Sequence, residues 1–398
     1  MNTVKIGVVG TGEISYSYLN NMTKTFGITE VVGCSDARDD FSKRRAEQFN
    51  IRKMSNEEIY SDPDIEIVVN LTPPLAHYEV QKDAIAAGKN VYSEKMMAKN
   101  FPLAKELYDL AAAKGVRLGF APDTFLGAGL QTARKLIDSG LIGVPFGAQA
   151  MVIRGYHMTG EGTTDALSFI FKEGGNISYD MGGYYIHALV SLLGPVNRVT
   201  GFTRQFRPYT QRNPRHPDYK KDQNINLDNL FTGALEFENG VLANLTCMSE
   251  SHMMEVPRLE IYGDEGTLIL PDPNTSLGPL YLVRGAGNFG DKVAVPLTHG
   301  YGSVLVPDPG ESATPEERNW RNSYRGIGVC DMAWAIRNGR AHRCSAELGL
   351  HTIEVVHGVH ESSKSGTVYK MTTTVKQPDA LPTGFISGTA SEAVFDTK

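Results

Sequence analysis

Cysteine is scarce in this chain: its 398 residues include four. Cys34, Cys247, Cys330 and Cys344 are too few and too scattered for a disulfide framework or a zinc site. The histidines do not supply a metal set either. A six-residue step takes His357 off the helix face of His351, and His342 lies apart from both, so no metal is expected. No uninterrupted apolar run reaches the ~18–20 residues of a membrane span, and Met1 leads directly into a strand-like segment rather than a leader. A soluble, cytoplasmic protein with no membrane partner is the expectation. Positive charge is not in excess, since 39 Lys and Arg face 45 Asp and Glu for a formal −6. That balance gives no pull toward nucleic acid or anionic lipid. Internal repeats and low-complexity tracts are also missing. What is present is ordinary globular composition, 41% hydrophobic and 21% charged. It excludes global disorder, and the length suits two or three domains.

Val4 to Val9 reads as a short buried strand, followed at once by Gly10-Thr11-Gly12-Glu13-Ile14-Ser15. Glycines at 10 and 12 permit a tight turn and close backbone approach to a pyrophosphate. The helix that starts here aims free N–H groups and its positive dipole end at the phosphates. The third small position of the G-x-G-x-x-G/A pattern is Ser15, a departure from it. A second strand over 30–35 leads to Asp36, near the ~20-residue offset at which a carboxylate takes the adenosine ribose hydroxyls. Its charge repels a 2′-phosphate, so NAD is expected over NADP, and Arg38 beside it softens that preference. Gly10, Thr11, Gly12, Glu13, Ile14, Asp36 and Arg38 are the cofactor candidates at this end of the chain.

Strands and helices continue to alternate. A strand over 65–71 ends in Thr72-Pro73-Pro74, and a helix to Ala87 is stopped by Gly88. A strand over 90–93 then delivers Glu94-Lys95, and a helix over 101–114 precedes a strand over 116–120. This alternation gives right-handed crossovers and a parallel sheet, whose ligands gather beyond the carboxyl ends of the strands. Leu71, Thr72, Pro73, His77, Glu94 and Lys95 fall there and join the cofactor set. Asp123 and Thr124, just past the last strand, are expected near the substrate.

From about Phe125 the pattern changes. A helix over 130–139 and a strand from Phe146 lead to strands at 196–203, 230–237, 241–249, 257–262 and 266–270, with Asn239-Gly240 as a hairpin turn. The expected fold class is α/β, a Rossmann domain over 1–124 followed by an α+β domain over 125–398 with an open, mostly antiparallel sheet. Long loops are read at 204–226 and 285–318, helices at 321–338 and 345–365, and a polar tail at 377–398. Arg154, Tyr156 and His157 follow the strand from Phe146 and are candidates for lining a substrate cavity. Asp180 reads as the N-cap of a helix running to Leu193. At 3.6 residues per turn, positions 180, 184 and 187 fall at about 0°, 40° and −20°, on one face.

Several segments together resemble one family. They are Gly7-Val8-Val9-Gly10-Thr11-Gly12, Thr72-Pro73, Ala87-Gly88-Lys89-Asn90-Val91-Tyr92-Ser93-Glu94-Lys95, and Gly174-Gly175-Asn176 with Asp180-Met181-Gly182. Tyr262-Gly263-Asp264-Glu265-Gly266-Thr267 and Arg325-Gly326-Ile327-Gly328 extend the resemblance over nearly the whole chain. The family is that of glucose–fructose oxidoreductase and inositol dehydrogenase, Gfo/Idh/MocA. The resemblance implies a nicotinamide-dependent oxidoreductase of sugars, inositols or related polyols. It also implies a homo-oligomer formed through the open sheet. The family's Glu-Lys-Pro signature reads Glu94-Lys95-Met96 here, which removes a fixed φ angle beside Lys95. Its Asp followed four residues later by His reads Asp180 and Tyr184, with His187 three further on, and some sugar-acting relatives carry tyrosine in that place.

The catalytic residues so implied are Lys95, Asp180, Tyr184 and His187. Alcohol oxidation removes the hydroxyl proton while a hydride leaves the same carbon. The acid/base role falls to Tyr184, to His187, or to both in relay, with the Lys95 cation favouring deprotonated tyrosine or neutral histidine. The expected activity is NAD-dependent oxidation of a secondary hydroxyl on a sugar, glycoside or polyol, C3 oxidation of a glucoside to its 3-keto form being one version. A glycosidase that recycles bound NAD and a non-catalytic NAD-binding regulator are the alternatives.

Overall fold

The structure, a computed structural model, describes residues 2–154, 173–206, 215, 217, 219–221, 227–249, 251, 255–285, 290–302, 314 and 324–383. Its first half alternates as β1 (Val4–Val9), α1 (Ser15–Lys24), β2 (Thr29–Ser35), α2 (Asp39–Phe49), β3 (Arg52–Lys53) and α3 (Asn56–Ser61). β4 (Ile67–Asn70), α4 (His77–Ala86), β5 (Asn90–Ser93), α5 (Phe101–Lys114) and β6 (Leu118–Phe120) follow. The six strands form one sheet in the order β3-β2-β1-β4-β5-β6, every pairing parallel. β1 and β4 are β-branched and buried almost throughout, as strands covered on both faces must be. Local signals set the helix ends. Ser55 and Glu58 form a capping box on α3, and Asn100 caps α5, accepting from Leu103 N, with Pro102 in the first turn. β3 and α3 were not read from the sequence, because elements of two and six residues are too short to show a period.

The second half contains α6 (Ala128–Asp138), β7 (Pro145–Arg154), α7 (Ile177–Asp180), α8 (Gly182–Leu193), β8 (Val196–Arg204), β9 (Leu230–Phe237) and β10 (Leu242–Met248). It continues with β11 (Glu255–Gly263), β12 (Thr267–Leu270), β13 (Leu280–Arg284), β14 (Asp291–Val295), α9 (Ile327–Asn338), α10 (Ala346–Ser365) and β15 (Tyr369–Lys370). Nine strands form an open sheet ordered β14-β13-β12-β11-β7-β10-β9-β8-β15, in which β7 and β10 run parallel and the other pairs antiparallel. The expected α/β fold class is therefore the observed one. α8 is buried along its whole length and lies with α10 against one face of this sheet. α9 and α10 also return to the first sheet, where Phe120 N donates to Cys344 O at 3.1 Å. One contiguous core runs from Val4 to Leu381.

Three readings need correction. The stretch expected as a loop over 285–318 contains β14, which completes a hairpin with β13; its residues are nearly all exposed, so no apolar alternation marks it. The helix expected from 321 begins at Ile327, after Gly326 at φ +96°, and residues 315–323 lie outside the described residues. The tail expected from 377 starts inside the core, with Leu381 buried and Pro378 O accepting from Arg134 at 2.9 Å. Most of the loop expected over 204–226 lies outside the described residues.

Glu354 on α10 ties this carboxyl-terminal stretch down. Fully buried, its carboxylate accepts from Tyr369 Oη at 3.1 Å, from the backbone N–H groups of Thr372 and Thr373 at 2.8 Å each, and from both threonine hydroxyls. Burial pushes the carboxyl pKa up, but these donors outweigh it and hold it below the ordinary value. Glu354→Gln, which turns an amide NH2 toward donors, is expected to lower the urea-unfolding free energy by about 2–4 kcal/mol while native circular dichroism is kept.

Candidate active site

The cofactor cradle is built where β1 gives way to α1. Gly10 has φ +96°, and a Cβ there would stand 2.6 Å from Leu71 C and Thr72 N. Only glycine lets this turn lie against the end of β4. A Cβ on Gly12 would meet nothing within 4 Å, so the ground above the loop is open. No side chain caps α1, the arrangement in which a helix end receives an anion. The departure at Ser15 has a local reason. Buried Ser15 Oγ donates to Gly12 O at 2.5 Å and accepts from Arg45 Nε at 2.9 Å, and Arg45 Nη2 donates to Gly12 O at 3.2 Å. A serine and a fully buried arginine thus support the loop from beneath. Arg45 was missed, its only signal being its place on the inward face of α2.

Asp36 meets the loop from β2. Its Oδ2 accepts from Thr11 N at 2.7 Å and Thr11 Oγ1 at 3.1 Å, and its Oδ1 accepts from Arg38 N at 2.9 Å. The Arg38 guanidinium lies 3.5 Å from the Phe41 ring centroid, with Nε 3.8 Å from Asp36 Oδ1. Glycine loop, helix end and carboxylate together fit a dinucleotide bound through its pyrophosphate and ribose. On the β4 side, Thr72 is held through its N–H and hydroxyl by Asn70 Oδ1, between buried Leu71 and the more exposed Pro73. His77 is a buried strut, one ring nitrogen 2.7 Å from Thr72 O and the other 2.8 Å from Met96 O. Burial lowers its pKa against the pull of both carbonyls.

Lys95 leaves the carboxyl end of β5. Glu94 accepts from Tyr18 Oη at 2.8 Å and from Lys95 N at 3.0 Å, and the Lys95-Met96 peptide is cis. The Lys95 ammonium donates to Asp180 O at 2.9 Å and pairs with Asp180 Oδ1. Burial would lower its pKa, but the charge of Asp180 foremost, then those of Tyr184 and Glu94, carries it above the ordinary value, so it stays cationic. The Tyr184 ring centroid lies 5.4 Å from Lys95 Nζ. Burial raises the Tyr184 pKa, against the opposing charges of Arg325 and Lys95.

Asp180 does not cap a helix to Leu193. Asn176 is the cap, accepting from Tyr179 N at 3.2 Å. Asp180 ends the short turn α7, and α8 starts afresh after Met181. That break frees its carboxylate to meet Lys95. His187 points elsewhere: its Nδ1 lies 3.0 Å from Gly183 O and 3.3 Å from Thr352 Oγ1, its Nε2 has no hydrogen-bond partner among the described residues, and its ring faces Phe125. Lys95, Asp180 and Tyr184 therefore come together, while His187 is turned into the core.

Asp123 and Thr124 also face inward. Asp123 Oδ2 accepts from the N–H groups of Gly326 and Gly328 at 2.8 and 3.0 Å, at the start of α9, and Thr124 Oγ1 donates to Pro273 O at 2.6 Å. Burial raises the Asp123 carboxyl to about 6, against the pull of Arg325 and those two N–H groups. Arg154 ends β7, with its carbonyl accepting from Ser251 N at 3.3 Å; Tyr156 and His157 lie outside the described residues. Among the described residues no cluster of His, Cys, Asp and Glu suits a metal ion, and no helix is long and apolar enough to cross a membrane.

A parallel sheet whose carboxyl edge carries a dinucleotide cradle and a lysine, met there by a phenol from α8, is the arrangement of the NAD-binding Rossmann class. Residues 4–121 match the family model described as an oxidoreductase family with an NAD-binding Rossmann fold, and residues 130–269 match the GFO/IDH/MocA C-terminal domain. The chain belongs to the GFO/IDH/MocA family. An uncharacterized oxidoreductase of Schizosaccharomyces pombe is 31% identical over 209 residues, 50% of this chain and 55% of that one; the chain spans about half the length of the first such relatives. The scyllo-inositol 2-dehydrogenase (NADP(+)) IolW of Bacillus subtilis is 25% identical over 378 residues, 92% of this chain and 95% of that one. Among solved structures, levoglucosan dehydrogenase in complex with NADH and levoglucosan has the same fold, with TM-score 0.75 at 19% identity over 94% of this chain and 100% of that one.

His187 makes stability depend on pH. Burial pushes its pKa down to about 4, from an ordinary 6.5. Its contribution is intact above the unfolded value and is lost as pH falls toward the folded one, because the unfolded chain takes up the proton first. Between about pH 7 and pH 5 this costs about 2 kcal/mol. His187→Asn, compared with wild type by urea unfolding at both pH values, is expected to show a pH-dependent loss smaller by about that amount.

Proposed function

We propose that the protein is an NAD-dependent dehydrogenase of a secondary hydroxyl on a sugar, glycoside or related polyol. The observation that carries this reading is the buried Lys95–Asp180 pair beside Tyr184 at the carboxyl edge of the parallel sheet. Bound NAD supplies the acceptor for the hydride that leaves the carbinol carbon. The protein's part is proton management. Lys95, kept charged and aimed by Asp180, donates a hydrogen bond to the substrate oxygen, and the Tyr184 phenolate takes the hydroxyl proton. In the reverse direction the tyrosine returns it. Gly10, Thr11, Gly12, Glu13 and Ile14 receive the pyrophosphate at the end of α1, Asp36 receives the ribose hydroxyls, and Thr72 and Pro73 line the way to Glu94 and Lys95.

NAD is proposed over NADP because a carboxylate at position 36, at the end of β2 beside the glycine loop, would repel a 2′-phosphate. A glucoside oxidised at C3 is the specific substrate we put forward; its support is the resemblance together with tyrosine at 184. The names of relatives, inositol and levoglucosan, support the broader class of sugars and polyols. We place the enzyme in the cytoplasm as a homo-oligomer. The sheet face opposite α8 and α10 supports the second point, since it carries Phe202 at 77% exposure and Leu242 at 60% and has no helix over it among the described residues.

The test is absorbance of reduced nicotinamide with NAD and a panel of inositols, monosaccharides, levoglucosan and glucosides, with mass spectrometry of each product. NADH together with a two-hydrogen mass loss is expected. Aglycone release without NADH would replace this reading with a redox glycosidase. Lys95→Ala is expected to keep NAD binding within a few-fold by titration and to lose at least about 10³-fold in turnover; near-wild-type turnover would remove Lys95 from the mechanism. In Asp36→Ala, affinity for NAD is expected to fall by more than affinity for NADP, and an unchanged ratio would mean that the ribose is held elsewhere.

A further inference from the structure

Arg325, like Lys95, reaches Tyr184, and no sequence motif gave it a role. Its side chain is deeply buried, at 7% exposure. Nη2 donates to Asn274 Oδ1 at 2.7 Å, to Asn274 O at 3.1 Å and to Tyr184 Oη at 3.3 Å. Its Cζ lies 5.2 Å from the Tyr184 ring centroid, against 5.4 Å for Lys95 Nζ. The phenol therefore has two cations within the range of a cation–π contact.

The position of this guanidinium is fixed from its backbone outward. Arg325 O accepts from Asn21 Nδ2 at 2.8 Å, and the N–H groups of Gly326 and Gly328 donate to Asp123 at 2.8 and 3.0 Å. Gly326 has φ +96°, a conformation that suits glycine. The two cations differ in how their charge is met. Lys95 is paired directly with the Asp180 carboxylate, whereas Arg325 feels the charges of Asp123 and Glu94 and its Nε and Nη1 have no hydrogen-bond partner among the described residues. A buried guanidinium with two unmet N–H groups costs stability that a neutral side chain of similar size would not. Its placement beside the Tyr184 phenol, rather than at a surface, points to a task.

We propose that Arg325 is the positioning residue for Tyr184, holding the phenol oxygen in place and stabilising the phenolate that receives the substrate's hydroxyl proton, with Asn274 and Asp123 holding Arg325 in turn. This rests on the reading of Tyr184 as the acid/base group. The proton passes from substrate hydroxyl to phenolate oxygen as the hydride leaves for the nicotinamide, and Arg325 itself neither gains nor loses one. The charged groups acting on Tyr184 are Arg325 and Lys95, which favour the phenolate, and Glu94 and Asp180, which oppose it. Removal of Arg325 leaves Lys95 alone to favour the phenolate against burial, Glu94 and Asp180, so the ionised form is disfavoured further.

The experiment reads Tyr184 directly. 3-Fluorotyrosine placed at position 184 of the full chain is titrated by fluorine-19 NMR, in the parent and with Arg325→Met, Arg325→Lys and Asn274→Ala. The phenol midpoint is expected to rise by about one pH unit or more in Arg325→Met, by less in Arg325→Lys, which keeps the charge, and in the same direction in Asn274→Ala, which loosens the arginine. If Arg325→Met does not fold, Arg325→Lys and Asn274→Ala carry the test. An unmoved midpoint in the folded variants would overturn the proposal whatever happens to turnover, because a purely structural arginine lowers activity without moving the titration. Tyr184→Phe separates the two readings. Wild-type turnover in Tyr184→Phe would remove the base role and the catalytic meaning of Arg325 with it. A dead Tyr184→Phe with an unmoved midpoint would sink the assignment of Arg325 alone.

Discussion

A lysine ammonium and an aspartate carboxylate, both almost withdrawn from water, meet where the parallel sheet touches the second half of the chain. Taking two charges out of solvent costs several kcal/mol apiece, and their attraction repays it only if both sides are held at the right separation. Much of the surrounding structure meets that condition. On the lysine side, Glu94 fixes the Lys95 N–H and is itself fixed by Tyr18 from α1, while His77 and Gln81 of α4 anchor the carbonyls of Met96 and Met97. On the aspartate side, Asn176 caps the short turn that ends at Asp180. The break at Met181 starts α8 with Tyr184 on its first full turn.

Burial then sorts residues that the helical wheel leaves equivalent. Tyr184 and His187 stand three positions apart on α8, and both are nearly inaccessible. Around Tyr184 burial raises the pKa, and two nearby cations, Arg325 and Lys95, offset part of that rise. Around His187 burial acts with only a backbone carbonyl to oppose it in favour of the charged form, and the ring stays neutral over the range in which an enzyme works. A histidine of that kind packs; a phenol beside two cations is the better placed of the two for the proposed proton exchange. Asp123 follows the same logic as a carboxylate kept inside to hold the start of α9, and with it the Arg325 backbone, in place.

The final helices make this arrangement a property of the whole chain. α10 lies on the nine-stranded sheet and also against α5 and β6 of the first sheet, and Asn21 of α1 binds the backbone at Arg325, 304 residues away in sequence. The cofactor cradle and the proton-handling groups thus share one continuous core. A shift of α9 would reach Tyr184 through Arg325.

The sequence by itself determined whatever a few neighbouring residues can encode. Strand-to-helix alternation set the parallel sheet, Gly10 and Gly12 the turn, Asp36 its carboxylate partner at the end of β2, and Asn239-Gly240 the hairpin between β9 and β10. Backbone preference and burial period act over a handful of positions, so they leave a local record. The exposed strand β14 left none, because only its last residue, Val295, meets the core. The tertiary structure alone decided that Asp180 ends a turn and faces Lys95 rather than capping a helix, that His187 turns away from Tyr184, that Arg45 shores up the glycine loop, and that Arg325 reaches the phenol. Each of these is a contact between segments far apart in the chain. Its strength depends on how much water the fold excludes around the charge, and no local pattern carries that quantity.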